Sequence, residues 1–151
     1  LKWPNDVNIA GGKVAGVLLE TSGDCPDLVV IGVGVNVSSE PGLDHSPLGI
    51  SSRSLSQVVG RQLRRYEVFA PMVESVVSAI ADLQNAPMSL VAEFRDRCLL
   101  TGQQISYQHQ NRECFGLCAG ISDAGSLLVK STDGMDEVSS GEARLVRISR
   151  Q

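Results

Sequence analysis

The chain has 151 residues, enough for one ordinary domain or two small ones, and its 42% hydrophobic content with only 4% aromatics leaves Val, Leu, Ile and Ala to fill any core. The net charge of −4 argues against a general nucleic-acid-binding surface. No apolar run reaches the roughly 20 residues needed to cross a bilayer.

Val7 to Ala10 reads as a short strand, Gly11-Gly12 as a turn and Lys13 to Thr21 as a second strand, a hairpin pattern. Leu28 to Val37 is a third strand, and its nearly continuous apolar run predicts a buried, central position. Gly32 and Gly34 fall on one of its faces. Glycine weakens a strand, so two on one face point to a ligand or backbone passing close by; a tight sheet-to-helix contact is the alternative. Ser38 to Ser52, rich in Ser, Gly, Pro and Asp, reads as an irregular loop. Ser54 to Val59 predicts one or two helical turns ending at Gly60.

Tyr66 to Asn85 is the clearest helix. Phe69, Val73, Val76, Val77, Ile80 and Leu83 recur at three- and four-residue steps, a stripe expected to face a core, and Pro71 is read into the first turn. Ala86-Pro87 breaks the pattern before a second helix, Met88 to Cys98, with Leu90, Val91, Phe94 and Cys98 on one side. The period then changes. Gln104 to Gln108, Glu113 to Ile121, Ser126 to Ser131, Met135 to Ser139 and Ala143 to Ile148 read as five short strands separated by Gln110-Asn111, Asp123-Ala124-Gly125, Asp133-Gly134 and Ser140-Gly141. That spacing predicts a small β-barrel, with a domain boundary near Leu99–Gly102.

Lysine is scarce. Of Lys2, Lys13 and Lys130, the first two stand within thirteen residues of the start, beside an Asn5-Asp6 pair and among apolar β-formers. Burying a charge is costly unless something pairs with it, and an anionic ligand suits two ammonium groups. Asp6 and Asn36 offer oxygen atoms of the kind that hold a divalent cation. Asn-Asp alone is equally a turn signal, and Trp3, the sole Trp, reads as packing rather than as a stacking platform. Cys25, Cys98, Cys114 and Cys118 form no C-x-x-C pair and His45 and His109 have no metal-like spacing, so the thiols are expected to be free in a reducing cytoplasm.

The run Lys2-Trp3-Pro4-Asn5-Asp6-Val7, the run from Gly12 to Glu20 (Gly-Lys-Val-Ala-Gly-Val-Leu-Leu-Glu) and the run Gly32-Val33-Gly34-Val35-Asn36-Val37 occur in the order seen in the biotin protein ligases. The chain resembles that family over most of its length, and the lipoate protein ligases more distantly. Gly116-x-x-x-Gly120-Ile121-x-Asp123-x-Gly125-x-Leu127 and Val138-Ser139-Ser140-Gly141-Glu142 carry the likeness through the tail and favour biotin over lipoate. The resemblance implies an α+β fold: residues 1–99 as the C-terminal part of a class II aminoacyl-tRNA synthetase-like mixed sheet with helices, and residues 100–151 as an SH3-like barrel. The family's glycine- and arginine-rich loop, which lies upstream of the Lys-Trp-Pro-Asn-Asp run, has no counterpart in this chain. Leu1-Lys2-Trp3-Pro4 also lacks an initiator Met and a signal-peptide profile. Both features read as a chain cut inside a domain.

The resemblance further implies ATP-dependent activation of biotin to biotinyl-5'-AMP and transfer to a lysine of a biotin carboxyl carrier protein. It assigns Lys13 as the catalytic cation. It assigns Lys13 and Gly16 to biotin, Lys2, Asn5, Asp6, Gly32, Gly34 and Asn36 to ATP, and Asp6 and Asn36 to Mg²⁺. A cytoplasmic enzyme is expected, with a homodimer left open. The alternatives are lipoate ligation on the same scaffold and a non-catalytic binding or interaction module. A biotinyl-acceptor domain is disfavoured because Lys130 is flanked by Val129 and Ser131 instead of methionines.

Overall fold

The computed structural model describes residues 1–23, 25–38, 51–109 and 112–146. They form two compact units, residues 5–73 and residues 1–4 with 74–151, the division falling inside a helix. The architecture is mixed α+β, with two sheets built mainly of antiparallel strands.

In the unit of residues 5–73, β1 (Asp6–Ile9), β2 (Gly12–Ser22) and β3 (Cys25–Val35) lie in that order as an antiparallel sheet. The β1–β2 turn is Ala10-Gly11, at φ 50° and φ 78°. Two positive φ values give the mirror-image turn whose twist matches the flanking strands. The turn thus sits one residue earlier than Gly11-Gly12, and Gly12 begins β2, paired with Ile9. Along β2 and β3, Gly16, Leu18 and Glu20 face the same side as Gly34, Gly32 and Val30, while Ala15, Val17 and Leu19 share the other side with Val35, Val33 and Ile31.

β3 corrects the sequence reading. It is last in the described sheet order, not central, and Leu28, Val29 and Val30 are about half exposed, at 55%, 48% and 55%. An apolar run states a demand for burial; it does not say what meets it, and among the described residues nothing covers these side chains. The predicted loop also needs amending at its end, because Ser51–Ser52 forms a short strand, β4, parallel to Gly12-Lys13 of β2. Residues 39–50 of that loop lie outside the described residues. Helix α1 (Leu55–Val59) starts where expected, since Ser54 and Gln57 form a reciprocal capping box, and it ends at Gly60.

Helix α2 (Arg65–Asn85) holds the expected apolar stripe but no buried residue. Phe69, Val77 and Leu83 are about 60% exposed, so the predicted core face is a solvent face within the described residues. Because the helix begins at Arg65, Pro71 lies in its interior and not in its first turn.

In the unit of residues 1–4 and 74–151, α3 (Pro87–Arg97) precedes an antiparallel meander. Its strands are β5 (Gln104–His109), β6 (Arg112–Ile121), β7 (Leu127–Ser131), β8 (Gly134–Val138) and β9 (Ala143–Leu145), in the order β8-β7-β6-β5-β9. All five predicted strands are present, with ends shifted by one to a few residues; the predicted Gln110-Asn111 turn lies outside the described residues. The core is Trp3, Leu100, Ile105, Tyr107, Cys118, Ile121, Leu127, Val129, Val138 and Ala143, with Phe94, Cys98, Cys114 and Leu145 against it. Gly116 explains part of the glycine pattern: a Cβ there would lie 2.6 Å from Val129 Cγ1 and 2.7 Å from the Lys130 carbonyl oxygen. All four cysteines are free, as expected, and burial pushes the Cys118 thiol up.

Candidate functional site

Strand register builds the site. Asp6 pairs with Gly16 and Gly16 pairs with Gly34, so the three form one row across β1, β2 and β3 on the same face. Where β1 meets the start of β2 the register slips between Val7 and Asn8, an irregularity of the kind that re-aims side chains. Lys13, just past that slip, brings its ε-ammonium to 2.5 Å from Asp6 Oδ1. The Asp6 side chain is 11% exposed and that of Lys13 43%, so the carboxylate is mostly covered while the cation still meets solvent. An ammonium carries three donors; Asp6 takes one and leaves others for a ligand anion.

Gly16 sits beneath this pair. A Cβ on Gly16 would lie 3.4 Å from both Cε and Nζ of Lys13 and 3.6 Å from Asp6 Oδ1. A methyl there would touch the pair at ordinary van der Waals distance, so the glycine leaves the spot beside the ammonium open without being sterically required. Gly32 and Gly34 continue the bare strip, and no close contact crowds them: a Cβ would come no nearer than 3.7 Å and 3.9 Å to the facing strand. The tight-packing reading of these two glycines fails among the described residues, and close approach by a ligand remains. Leu18, Leu28 and Val30 line the same face further along and are each 55% exposed. The face thus runs from a cation–carboxylate pair, past three glycines, to an end where Leu18, Leu28 and Val30 stand beside the Glu20 side chain. A molecule with an anionic head and a neutral, extended body matches that gradient.

Asn36 follows β3. Its Nδ2 donates to the carbonyls of Lys13 (3.4 Å) and Arg53 (3.2 Å), its backbone N–H donates to Val14 O, and its own carbonyl accepts from Leu55 N–H. The amide donors are thus spent on holding β2 and the start of α1, and Oδ1 is the atom available to a ligand. Asn5 is exposed, and its carbonyl accepts from Val17 N–H at 3.0 Å. Lys2 belongs to the other unit, where it is only 2% exposed and so is not a surface charge. Trp3 is core there, as the sequence reading favours.

Asn8 was not singled out from the sequence. It faces Lys13 across the hairpin, and its Oδ1 and Nδ2 are both buried without a hydrogen-bond partner. Its one sequence signal is an amide within an otherwise apolar three-residue run, Val7-Asn8-Ile9. Among the described residues no group of three His, Cys, Asp or Glu side chains is placed to hold a metal. Mg²⁺ does not demand one, since it keeps several waters and binds through one or two carboxylates plus phosphates. The second oxygen of Asp6 and Oδ1 of Asn36 are donors of the right hardness.

No family profile matches the chain. It is 30% identical over 149 residues to the biotin–[acetyl-CoA-carboxylase] ligase of Mycobacterium tuberculosis, covering 94% of this chain and 51% of that protein. It is 29% identical over 150 residues to the bifunctional ligase/repressor BirA of Bacillus subtilis, covering 96% of this chain and 46% of that protein. The solved structure of the Aquifex aeolicus biotin protein ligase in complex with biotin and ATP matches with a TM-score of 0.80 at 26% identity, over 98% of this chain and 62% of that one. This chain is similar to biotin protein ligases over nearly its whole length. It spans about half the length of the curated relatives it matches. The ligase-like runs noted in the sequence are the segments that form the Asp6–Lys13–Gly16–Gly34 face. None of the described helices is long and apolar enough to cross a membrane.

Proposed function

We propose that this chain is part of an ATP-dependent biotin–protein ligase. The observation that carries the reading is the Lys13–Asp6 pair at the head of a strip with three glycines, on the segments that resemble the ligase runs. The biotin carboxylate oxygen attacks the α-phosphorus of ATP, the bond to the β-phosphate bridging oxygen breaks, and pyrophosphate leaves with that electron pair. An acceptor lysine amine then attacks the acyl carbon of biotinyl-5'-AMP and AMP departs. The first step brings two anions together, so it needs fixed positive charge at the meeting point.

Lys13 is that cation, and Lys13 with Gly16 receives the biotin carboxylate end. Lys2, Asn5, Asp6, Gly32, Gly34 and Asn36 serve ATP. Mg²⁺, held through Asp6 and Asn36, would neutralise phosphate charge when bound. Residues 1–99 are read as part of the catalytic domain with its class II synthetase-like sheet, and residues 100–151, the meander, as the SH3-like domain. The acceptor is a biotin carboxyl carrier protein, and the compartment is the cytoplasm.

The test is biotin-dependent ATP–pyrophosphate exchange on the full-length protein, with lipoate as the competing substrate. Exchange with biotin and none with lipoate is expected; the reverse would assign the scaffold to lipoate. Residues 1–151 alone are expected to show no exchange. Leu18, Leu28 and Val30 stand open to water in this chain, whereas small-ligand sites bury most of their ligand. Exchange by residues 1–151 clearly above background would show that nothing further is needed and that these residue roles are wrong.

A further inference from the structure

Asn8 is the Cα partner of Lys13 across the β1–β2 hairpin, and by the alternation of a strand it shares its face with Asp6. Side chains set directly opposite stand roughly 5 Å apart at Cβ. Lys13 nevertheless carries its ammonium to Asp6, two residues further along β1. Its stem therefore passes Asn8, whose Oδ1 and Nδ2 are both buried and both without a hydrogen-bond partner among the described residues. A buried amide left in this state costs free energy, and an apolar β-former at the same position would not.

The backbone of Lys13 is fixed from the other edge of β2. Its carbonyl accepts from Arg53 N–H at 2.9 Å and from Asn36 Nδ2 at 3.4 Å. Val14, the residue that the register slip leaves unpaired, is 1% exposed and anchors the next position. Which acceptor the ammonium takes is therefore a choice among side-chain rotamers, made over a fixed backbone. Asp6 and Asn8 differ in what they do to its charge. A carboxylate neutralises the ammonium as it holds it, and the pair attracts a second anion weakly. An amide oxygen holds the ammonium by a hydrogen bond and leaves its charge whole.

We propose that Asn8 Oδ1 is a second seat for the Lys13 ammonium, taken in exchange for Asp6 when the biotin carboxylate arrives, which makes Asn8 a positioning residue that acts through Lys13. The proposal rests on the reading that Lys13 receives that carboxylate. With the ammonium on Asp6, Asn8 Oδ1 has no partner; with the ammonium on Asn8 it gains one, and Lys13 keeps two donors for the incoming oxygens. The move is short, since both seats lie on one face of one strand.

The experiment titrates biotin into the full-length protein by calorimetry, in a double-mutant cycle of Asn8→Leu and Lys13→Met. Asn8→Leu removes the neutral seat. It is expected to weaken biotin about tenfold, the size of one hydrogen bond to a charged group, while raising the melting temperature. In the Lys13→Met background the same substitution is expected to change biotin affinity by less than about twofold. Asn8→Asp keeps the size but puts a carboxylate in both seats, and it too is expected to weaken biotin. A merely structural Asn8 would move the melting temperature and leave biotin affinity at the wild-type value, and that result overturns the proposal. An equal loss with and without Lys13 overturns it too, because Asn8 would then reach biotin by another route. Should Asn8→Leu fail to fold, wild-type affinity in Asn8→Asp is equally decisive. If Lys13→Met binds biotin as the wild type does, the underlying reading falls and the proposal with it. If Lys13→Met loses affinity while both Asn8 variants keep it, the second seat alone falls.

Discussion

Replacing Lys13 by Met removes the ε-ammonium and keeps most of its apolar stem. Two effects compete, and the structure separates their sizes. The ammonium lies 2.5 Å from Asp6 Oδ1. Coulomb's law gives a gross attraction of about 2 kcal/mol at the dielectric of water, and about 7 kcal/mol at the effective value near 20 used for protein surfaces. Lys13 is 43% exposed, so water screens the pair towards the lower figure, and ordering a long side chain offsets part of the rest. The expected stability loss is about 1 kcal/mol. The loss of preorganised charge at the attacked phosphorus is larger, about 100- to 1,000-fold in rate, equivalent to about 3–4 kcal/mol. Lys13→Met in the full-length protein should therefore remain folded by chemical denaturation while biotin-dependent ATP–pyrophosphate exchange falls by two to three orders of magnitude. Exchange within about threefold of wild type would remove Lys13 from the mechanism. An activity loss that merely tracked the unfolded fraction would reduce it to a structural ion pair.

Asn36→Ala deletes the two donors that hold the Lys13 and Arg53 carbonyls. It should cost about 1–2 kcal/mol in denaturant melts and weaken ATP binding more than biotin binding by calorimetry; a selective loss of biotin affinity would contradict its assignment. Asn8→Leu removes two buried, unpartnered polar atoms. It should stabilise the fold by about 1–3 kcal/mol, and a lower melting temperature would mean that the amide has a partner in solution. Gly116→Ala places a methyl against Val129 Cγ1 and the Lys130 backbone, an overpacking expected to cost about 1–3 kcal/mol; a neutral result in thermal melts would show that β7 can shift.

Tyr107 supplies a pH test. Burial, followed by the hydrogen bond it donates to Asp136, pushes its phenol from 10.0 up to about 12. The folded state thus holds this proton more tightly than the unfolded chain. The stability it contributes is complete below about pH 10 and is lost as pH rises through about 12. Circular-dichroism melts across that window should show a decline that Tyr107→Phe flattens. An equal decline in the variant would assign the alkaline loss to other groups.

Local patterns reached far in this chain. The hairpin, the capping box at Ser54 and Gln57, the long α2 stripe and the switch to five short strands are all fixed by residues close in sequence, through turn chemistry, caps and side-chain period. The proposed site residues stand out in the sequence for a similar reason: two scarce lysines and an Asn-Asp pair among β-formers violate the apolar pattern around them. What sequence could not supply was which surfaces meet. The apolar character of β3 and α2 predicted cores, yet burial depends on a neighbour, and local composition carries no information about that neighbour. Ser51–Ser52 gains strand structure only from β2, a partner nearly forty residues away. Sequence reads Asn36 for its oxygen alone, and only tertiary contacts show its amide donors spent on the Lys13 and Arg53 carbonyls. Register alone, a property of paired strands, set Asp6, Gly16 and Gly34 in one row and brought Lys13 to Asp6.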